Sequence, residues 1–292
     1  MSKLYMFFLI IFLWANSAIA QPREPIILDT ADVLLGSTQT DAGHVRRFMG
    51  NVRLHQGKVR VHADEVIHYI DQNRAKLIGN VRILQDDMTM SAPRIDYDGN
   101  KKFARAEEGV RIVDSASTLV ADSGSYSTRD LIADFRGEVV IEDDSARIIA
   151  NRVIYYRKSG NSDATGDVVI RGKYSNTALA GDTVNYIPNE NYTRAAGAPK
   201  LFQIDTLRSG NGDSIRAEID TLSIRALIMH AWRSAEAERY VFDDSVEINR
   251  SGMAARADSA VYFKSADRIE LFGGPVVWYD STQLHADTTI IR

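Results

Sequence analysis

Cysteine is absent from this chain. Disulfides, thiolate metal centres and the acylated cysteine of a lipoprotein are therefore excluded. Histidine is sparse and scattered, at His44, His55, His62, His68, His230 and His285. His62 and His68 come nearest each other, but with no third ligand in step they do not make a zinc site, so the histidines are expected at the surface or rim. No basic stripe accompanies the net charge of -4, and a pI near 5.9 argues against a nucleic-acid partner. A nucleophile elbow, a phosphate-binding loop and a glycine-rich dinucleotide fingerprint are all missing, so neither a catalytic set nor a cofactor site is expected. The apolar run Leu4–Trp14 falls short of the roughly 20 residues a membrane helix needs. Lys3 precedes this run, and Ala18-Ile19-Ala20 follows it before Gln21. Residues 1–20 thus read as a cleaved secretory signal peptide, which predicts a mature periplasmic chain beginning at Gln21.

What the chain does have is a repeat. Gly50-Asn51-Val52-Arg53-Leu54 returns as Gly79-Asn80-Val81-Arg82-Ile83, and a glycine opens further units at Gly109, Gly137, Gly166 and Gly197. A mid-unit alanine keeps the same step at Ala63, Ala92, Ala121, Ala150 and Ala180, giving a period of about 29 residues. Such periodicity denotes an array of small supersecondary units with no internal boundary. Residues 21–292 are accordingly expected to form one repeat domain. After Gly197 the rhythm slips, because Ala217 and Ala257 stand further apart than one period. The expectation is an insertion over about 222–238, whose Ile224, Leu227, Ile228 and Trp232 suit a helix face or two strands equally. Thr288–Arg292 stop within a strand with no cap, as a truncated chain would.

Within each unit apolar and polar residues alternate, as in Val52 and Leu54 against Arg53 and His55. Period two is the signature of strands. Turn residues interrupt it twice per unit, at Asp86-Asp87 and Asp98-Gly99-Asn100 for example. A glycine in mid-strand marks a bend or bulge, the expected role of Gly79, Gly109, Gly137 and Gly166. The predicted fold is all-β: an elongated jelly-roll or sandwich of stacked antiparallel strands whose two layers face each other. Asp64, Asp122, Asp258 and Asp287 each follow an alanine. A carboxylate repeated on every rung serves the geometry of a bend better than it serves one active site.

The inward row is Val52, Leu54, Val59, Val61, Val81, Ile83, Met88, Met90, Val110, Ile112, Val139 and Ile141, continuing through Leu119, Ile148, Val168 and Ile170. Such a row suits an ordinary sandwich core. It suits equally a groove between two sheets held apart at one edge, which would accept alkyl chains. Periodicity does not separate the two.

The Gly-Asn-Val-Arg-Leu phrases, Ala63-Asp64 followed by Tyr69, Ala257-Asp258-Ser259 and Pro275-Val276-Val277-Trp278 resemble the OstA-like, LptA-like family of lipopolysaccharide-transport proteins. The resemblance spans most of residues 26–292. It implies a periplasmic β-jelly-roll that is not an enzyme and binds lipopolysaccharide through its lipid A acyl chains between the sheets. It further implies docking to inner-membrane and outer-membrane transport components by addition of end strands, here at Ile26, Ile27, Leu28, Ile290 and Ile291. The chain departs from the short pattern of that family in having about twice as many units. Two other readings of the sequence remain open: a structural or carbohydrate-binding β-solenoid of the envelope, and the N-terminal part of an outer-membrane lipopolysaccharide translocon. Tyr and Trp bared on one flat face would favour the solenoid.

Overall fold

Alternation of apolar and polar residues makes a strand only if each half-buried face finds a partner, and in this chain nearly every strand finds two. The computed structural model describes residues 27–40, 43–56, 58–115, 117–144, 146–173, 176–209, 216–233 and 238–292. Residues 1–26, on which the expected signal peptide and the edge residue Ile26 fall, lie outside the described residues. Neighbouring strands run antiparallel, and the only helical pieces among the described residues are two single 3-10 turns, Pro188–Glu190 and Lys264–Ala266. The fold is therefore an all-β jelly-roll of stacked antiparallel strands. Two compact units divide the chain: an N-terminal one of residues 27–144 with 152–159, and a C-terminal one of residues 146–151 with 160–292.

In the N-terminal unit the long strands Gly43–Gln56, Val59–Tyr69, Arg74–Gln85 and Met88–Asp98 pair in chain order. Each is bent. The register shifts between Met49 and Val52 and again between Ile78 and Val81, and each shift holds two residues in the left-handed region, Gly50 and Asn51 or Gly79 and Asn80. The period-two phase slips with the shift, so buried Leu77 is followed by buried Val81 rather than by Gly79. Both arms of the bent strand thereby keep their apolar side inward, each arm contributing to one of two facing layers. The layers meet where Gly124 of one arm approaches Val110 of the other.

Gly79 shows why the bend is glycine. Its φ is 72°, and a Cβ there would sit 2.3 Å from Asp64 Oδ2, which Asn80 Nδ2 holds by a hydrogen bond of 2.8 Å. An L side chain would meet both the left-handed penalty and the carboxylate. The same pressing of an aspartate on a bend glycine recurs at Asp32 with Gly50, Asp122 with Gly137, Asp182 with Gly197 and Asp258 with Gly273. Of the aspartates that follow alanine, Asp64, Asp122 and Asp258 are thus parts of bends. Asp287, in the exposed C-terminal segment, sits against no such glycine.

The C-terminal unit repeats this plan through Asn161–Gly172, Thr177–Ile187, Lys200–Ser209, Arg216–Arg225, Glu238–Arg250 and Met253–Phe263. The stretch from Leu222 is strand: Leu222–Arg225 ends one strand, and Ile228–Arg233 forms the next. The extra length falls upstream, in the hairpin whose arms stay in register from Lys200 with Arg225 out to Ser209 with Arg216. Here the bend is Asp244 and Ser245, both at positive φ, and Leu227 donates its backbone N–H to Asp244 just as Asp32 does to Gly50.

Candidate lipid-binding interior

Register decides which inward residues meet. In the N-terminal unit a directly opposed ladder runs Leu54, Val61, Ile83, Met90, Ile112, Leu119 and Ile141 across seven strands. Beside it stand Val52 opposite Ala63, Val81 opposite Ala92 and Val110 opposite Ala121. The facing arm carries Phe48, Val66, Leu77, Ile95, Ala106, Gly124 and Phe135 in one row. Directly opposed pairs of apolar side chains are the unit of sheet stabilisation, so these rows form one continuous lining.

The lining borders an open cavity of about 160 Å³. Leu54, Val59, Val61, Ile83, Met90 and Ile112 line it from the first layer, and Val66, Leu77, Ile95, Tyr126 and Phe135 from the other. Its walls are apolar almost throughout, so it suits an apolar guest. Six of the twelve predicted lining residues therefore meet at one cavity. Val52, Val81 and Val110 are fully buried beside the bends, Met88 is buried near the hairpin tip, and Val139 and Ile141 are buried further along the row. Arg53, Arg82 and Arg111, which alternate with the lining, are exposed. Burial raises the phenol pKa of Tyr97 and Tyr126, so both line the cavity as neutral groups.

The C-terminal unit builds the same rows, Ile170, Leu179, Leu201, Ile224, Ile248, Ala255 and Val277 on one arm, with Val184, Ala195, Met229, Phe242, Ala260 and Leu271 on the other. Its buried side chains are bulkier. Tyr240, Phe242, Tyr262, Met229, Leu201, Ile224, Ile248 and Leu271 are the bulkiest fully buried side chains, whereas those of the N-terminal unit are Val52, Val81, Val139 and Val153. Tyr240 stacks between Phe242, at 6.5 Å, and Tyr262, at 6.0 Å.

Polar groups cross the mouth of this unit. Tyr262 donates its hydroxyl to Gln203 Oε1 at 2.7 Å, and Lys264 Nζ donates to Thr177 Oγ1 at 2.7 Å while pairing with Glu238 at 3.1 Å. Arg250 donates to Asp220 at 2.6 Å and reaches Asp267 of the other lip at 3.6 Å. The hydrogen bond to Asp220 raises the pKa of Arg250. Burial, with Asp267 alongside, pushes that of Tyr262 far above the usual phenol range. The recurring tyrosine of the repeat marks Tyr262 in the sequence, but nothing in the period marks Gln203, Thr177 or Arg250 as its neighbours.

On the outer face one cross-strand row carries Tyr192, Trp232, Arg239, Phe263 and Arg268. The Arg239 guanidinium lies 4.6 Å from the Trp232 ring centroid and that of Arg268 lies 4.5 Å from Phe263. Trp232 and Phe263 are half-buried and each faces a cation, unlike the bare flat face that a carbohydrate-binding solenoid would present. At the ends, Ile27–Thr30 pairs on one side with Gly43–Gln56, and Thr288–Ile291 pairs on one side with Arg268–Phe272, so each leaves an edge unpaired among the described residues. Ile27, Leu28 and Ile290 are exposed there, and Ile291 is half-buried.

A family model described as LptA/(LptD N-terminal domain) LPS transport protein matches residues 118–292, more than half of the chain. The chain belongs to that family. Ahead of it, and overlapping it, a model described as OstA-like protein matches residues 23–136, so the LptA/LptD N-terminal family and its OstA-like relatives together cover the repeats of both units. Among solved structures 12 chains match. One is LptH, described as the LptA homologous periplasmic component of the conserved lipopolysaccharide transport device from Pseudomonas aeruginosa, at 18% identity and a TM-score of 0.35, over 50% of this chain and 94% of that one. No curated protein matches.

Proposed function

We propose that this chain is a periplasmic lipopolysaccharide-transport protein that shelters acyl chains in the N-terminal cavity on their way between the membranes. The observation that supports this reading is the open apolar cavity on the ladder from Leu54 to Ile112. Leu54, Val61 and Ile83 are only half-buried although they point inward. Apolar surface left uncovered is unfavourable, and each methylene removed from water against it gains about 0.8 kcal/mol. An acyl chain of lipid A covers that surface without disturbing a single backbone hydrogen bond. Partner components of the transport path would dock by adding strands to the edges at Ile27–Thr30 and Thr288–Ile291. The unpaired amides of those edges supply the bonds, and Ile27, Leu28, Ile290 and Ile291 the side-chain contacts.

Photo-crosslinking side chains at Ile83 and Ile112, and at Arg82 and Arg111 on the opposite face, test the acyl site in the full chain incubated with lipopolysaccharide. Capture at the first pair alone is the expected result. Equal capture at both pairs, or none at Ile83, overturns the acyl reading.

A further inference from the structure

Strand register in the N-terminal unit puts opposite charge on the two rims of its cavity. One rim is the row of turns at the tips of the arm that carries Leu54. There Asp86, Asp87, Asp114, Asp143 and Asp144 stand with one cation, Lys58, among the described residues. The other rim belongs to the facing arm, with turns at 70–73, 99–102, 128–131 and 157–160, and with Arg46 opposite His68. It carries Arg46 and Arg74 on strands and Lys101, Lys102, Arg129, Arg157 and Lys158 on turns, against the carboxylates of Asp71, Asp98 and Asp130. These cations are scattered in sequence and gathered only by the stacking of hairpins.

The carboxylates of the basic rim are already committed to its turns. Asp71 accepts from the His44 backbone N–H at 2.8 Å, Asp98 from those of Asn100 and Lys101 at 3.1 and 3.0 Å, and Asp130 from the Ser127 hydroxyl at 2.6 Å. Arg46, Lys102 and Lys158 are exposed and form no ion pair among the described residues. A surplus of positive charge therefore remains for a ligand.

A recess beside the cavity gives that charge a shape. About 190 Å³ in volume, it is lined by Tyr69, Gln72, Arg74, Lys76 and Asp96, and it shares Ala75 and Tyr97 with the wall of the apolar cavity. Asp96 is drawn aside by Arg94, which donates to its two oxygens at 3.3 and 2.9 Å. Lys76 Nζ lies 5.8 Å from the Tyr69 ring centroid, and Arg74 reaches Asp98 only at 4.0 Å. An arginine fork and a lysine ammonium two residues apart on one face of a strand are donors suited to phosphate oxygens. An apolar cavity and a cationic recess with a common wall suit an amphiphile that carries both acyl chains and a phosphate.

We infer that the recess at Arg74 and Lys76 seats a phosphate of the sugar headgroup of the lipid whose chains enter the N-terminal cavity. The lipid thus lies in one orientation, its headgroup on the basic rim and away from the aspartate rim. The inference rests on the acyl reading of that cavity.

Lipid A, its dephosphorylated form and its deacylated, phosphorylated disaccharide are titrated into the full chain, into the Arg74→Gln, Lys76→Gln double variant and into Lys58→Gln on the other rim. The native chain is expected to bind lipid A about tenfold more tightly than the dephosphorylated form, from two charge-assisted contacts of a few-fold each. The double variant is expected to bind both alike, and Lys58→Gln to behave as the native chain. A preference that is absent from the native chain, or that survives in the double variant within twofold, overturns the inference. Displacement of lipid A by inorganic phosphate as readily as by the disaccharide assigns the recess to free phosphate and overturns the headgroup. Position is read separately in chains with the recess intact: a photoreactive side chain at Gln72 is expected to capture lipid A and one at Asp87 is not, and any other pattern overturns the orientation. Failure of the acyl reading looks different. The disaccharide then binds as tightly as lipid A and Ile83 captures nothing, while the double variant still loses the phosphate preference.

Discussion

Gly79→Ala is the sharpest test of the bend that makes the jelly-roll. The added Cβ would lie 2.3 Å from Asp64 Oδ2 and 2.9 Å from Asp64 Cβ. The oxygen can swing away, but the Cβ is fixed to the neighbouring strand and yields only if that strand moves. Left-handed backbone at an L-residue costs about 1–2 kcal/mol, and crowding two strands adds about 1–3 kcal/mol. Against this, a stiffer unfolded chain returns about 0.4–1 kcal/mol. The net expectation is a destabilisation of about 2–3 kcal/mol. Trp232 and Trp278 lie in the C-terminal unit, so fluorescence would miss the change; amide hydrogen exchange along Arg74–Gln85 reads it directly. In an Asp64→Gly background the obstructing Cβ is gone, and only the backbone term and its partial offset remain, leaving about 0–1 kcal/mol. The double-mutant cycle therefore predicts a coupling of about 1–3 kcal/mol. Equal cost in both backgrounds would show that Asp64 has no part in fixing the bend.

Fully buried and cavity-facing side chains should respond differently to truncation. Phe242, fully buried, is expected to cost about 3–5 kcal/mol as Phe242→Ala, and half-buried Ile83, facing the cavity, only about 1 kcal/mol as Ile83→Ala; urea unfolding of the two variants checks the order. Tyr262 titrates in the unfolded chain near pH 10 and, once buried beside Asp267, far above it. Its neutral form thus contributes stability that is whole below pH 10 and is lost as the pH rises beyond it. Tyr262→Phe should flatten this alkaline leg of the stability curve, and a leg unchanged by the substitution would place the effect on other groups.

Strands, bends and inward rows were legible because each has a local cause. Alternation fixes which face is buried, and the Gly-Asn phrase fixes where the register slips. Asp64, Asp122 and Asp258 were legible as bend residues because they recur with the glycines they press against, whereas Asp287 shares the phrase without such a glycine. The region after Gly197 was harder, and the reason is chemical. The rung alanine there is Ala226, buried like Ala63 and Ala121, but Leu227 follows it in place of aspartate and Asp244 stands at the bend in place of glycine. With the carboxylate gone from one strand, a Cβ is tolerated on the other, so both markers vanish together. Ile224, Leu227, Ile228 and Trp232 then fell at a spacing that fitted helix as well as strand, although only strand pairing satisfies their backbone groups in this stack.

The interior was half legible for a related reason. A repeat states which positions face inward but not how much space they leave, because volume depends on side chains that meet across the two arms. In the N-terminal unit, inner positions beside the cavity are held by Ala75, Ala104, Ala106 and Gly124. In the C-terminal unit the corresponding arm carries Met229, Tyr240, Phe242 and Tyr262, all fully buried or nearly so. Both sets satisfy the same alternation, so the rhythm that predicts the fold is silent on how bulky the inward side chains are. Pairs such as Tyr262 and Gln203, 59 residues apart, obey no period at all. They follow from which hairpin tips the bends bring face to face, and that is set by the sum of several register shifts rather than by any one phrase of the sequence.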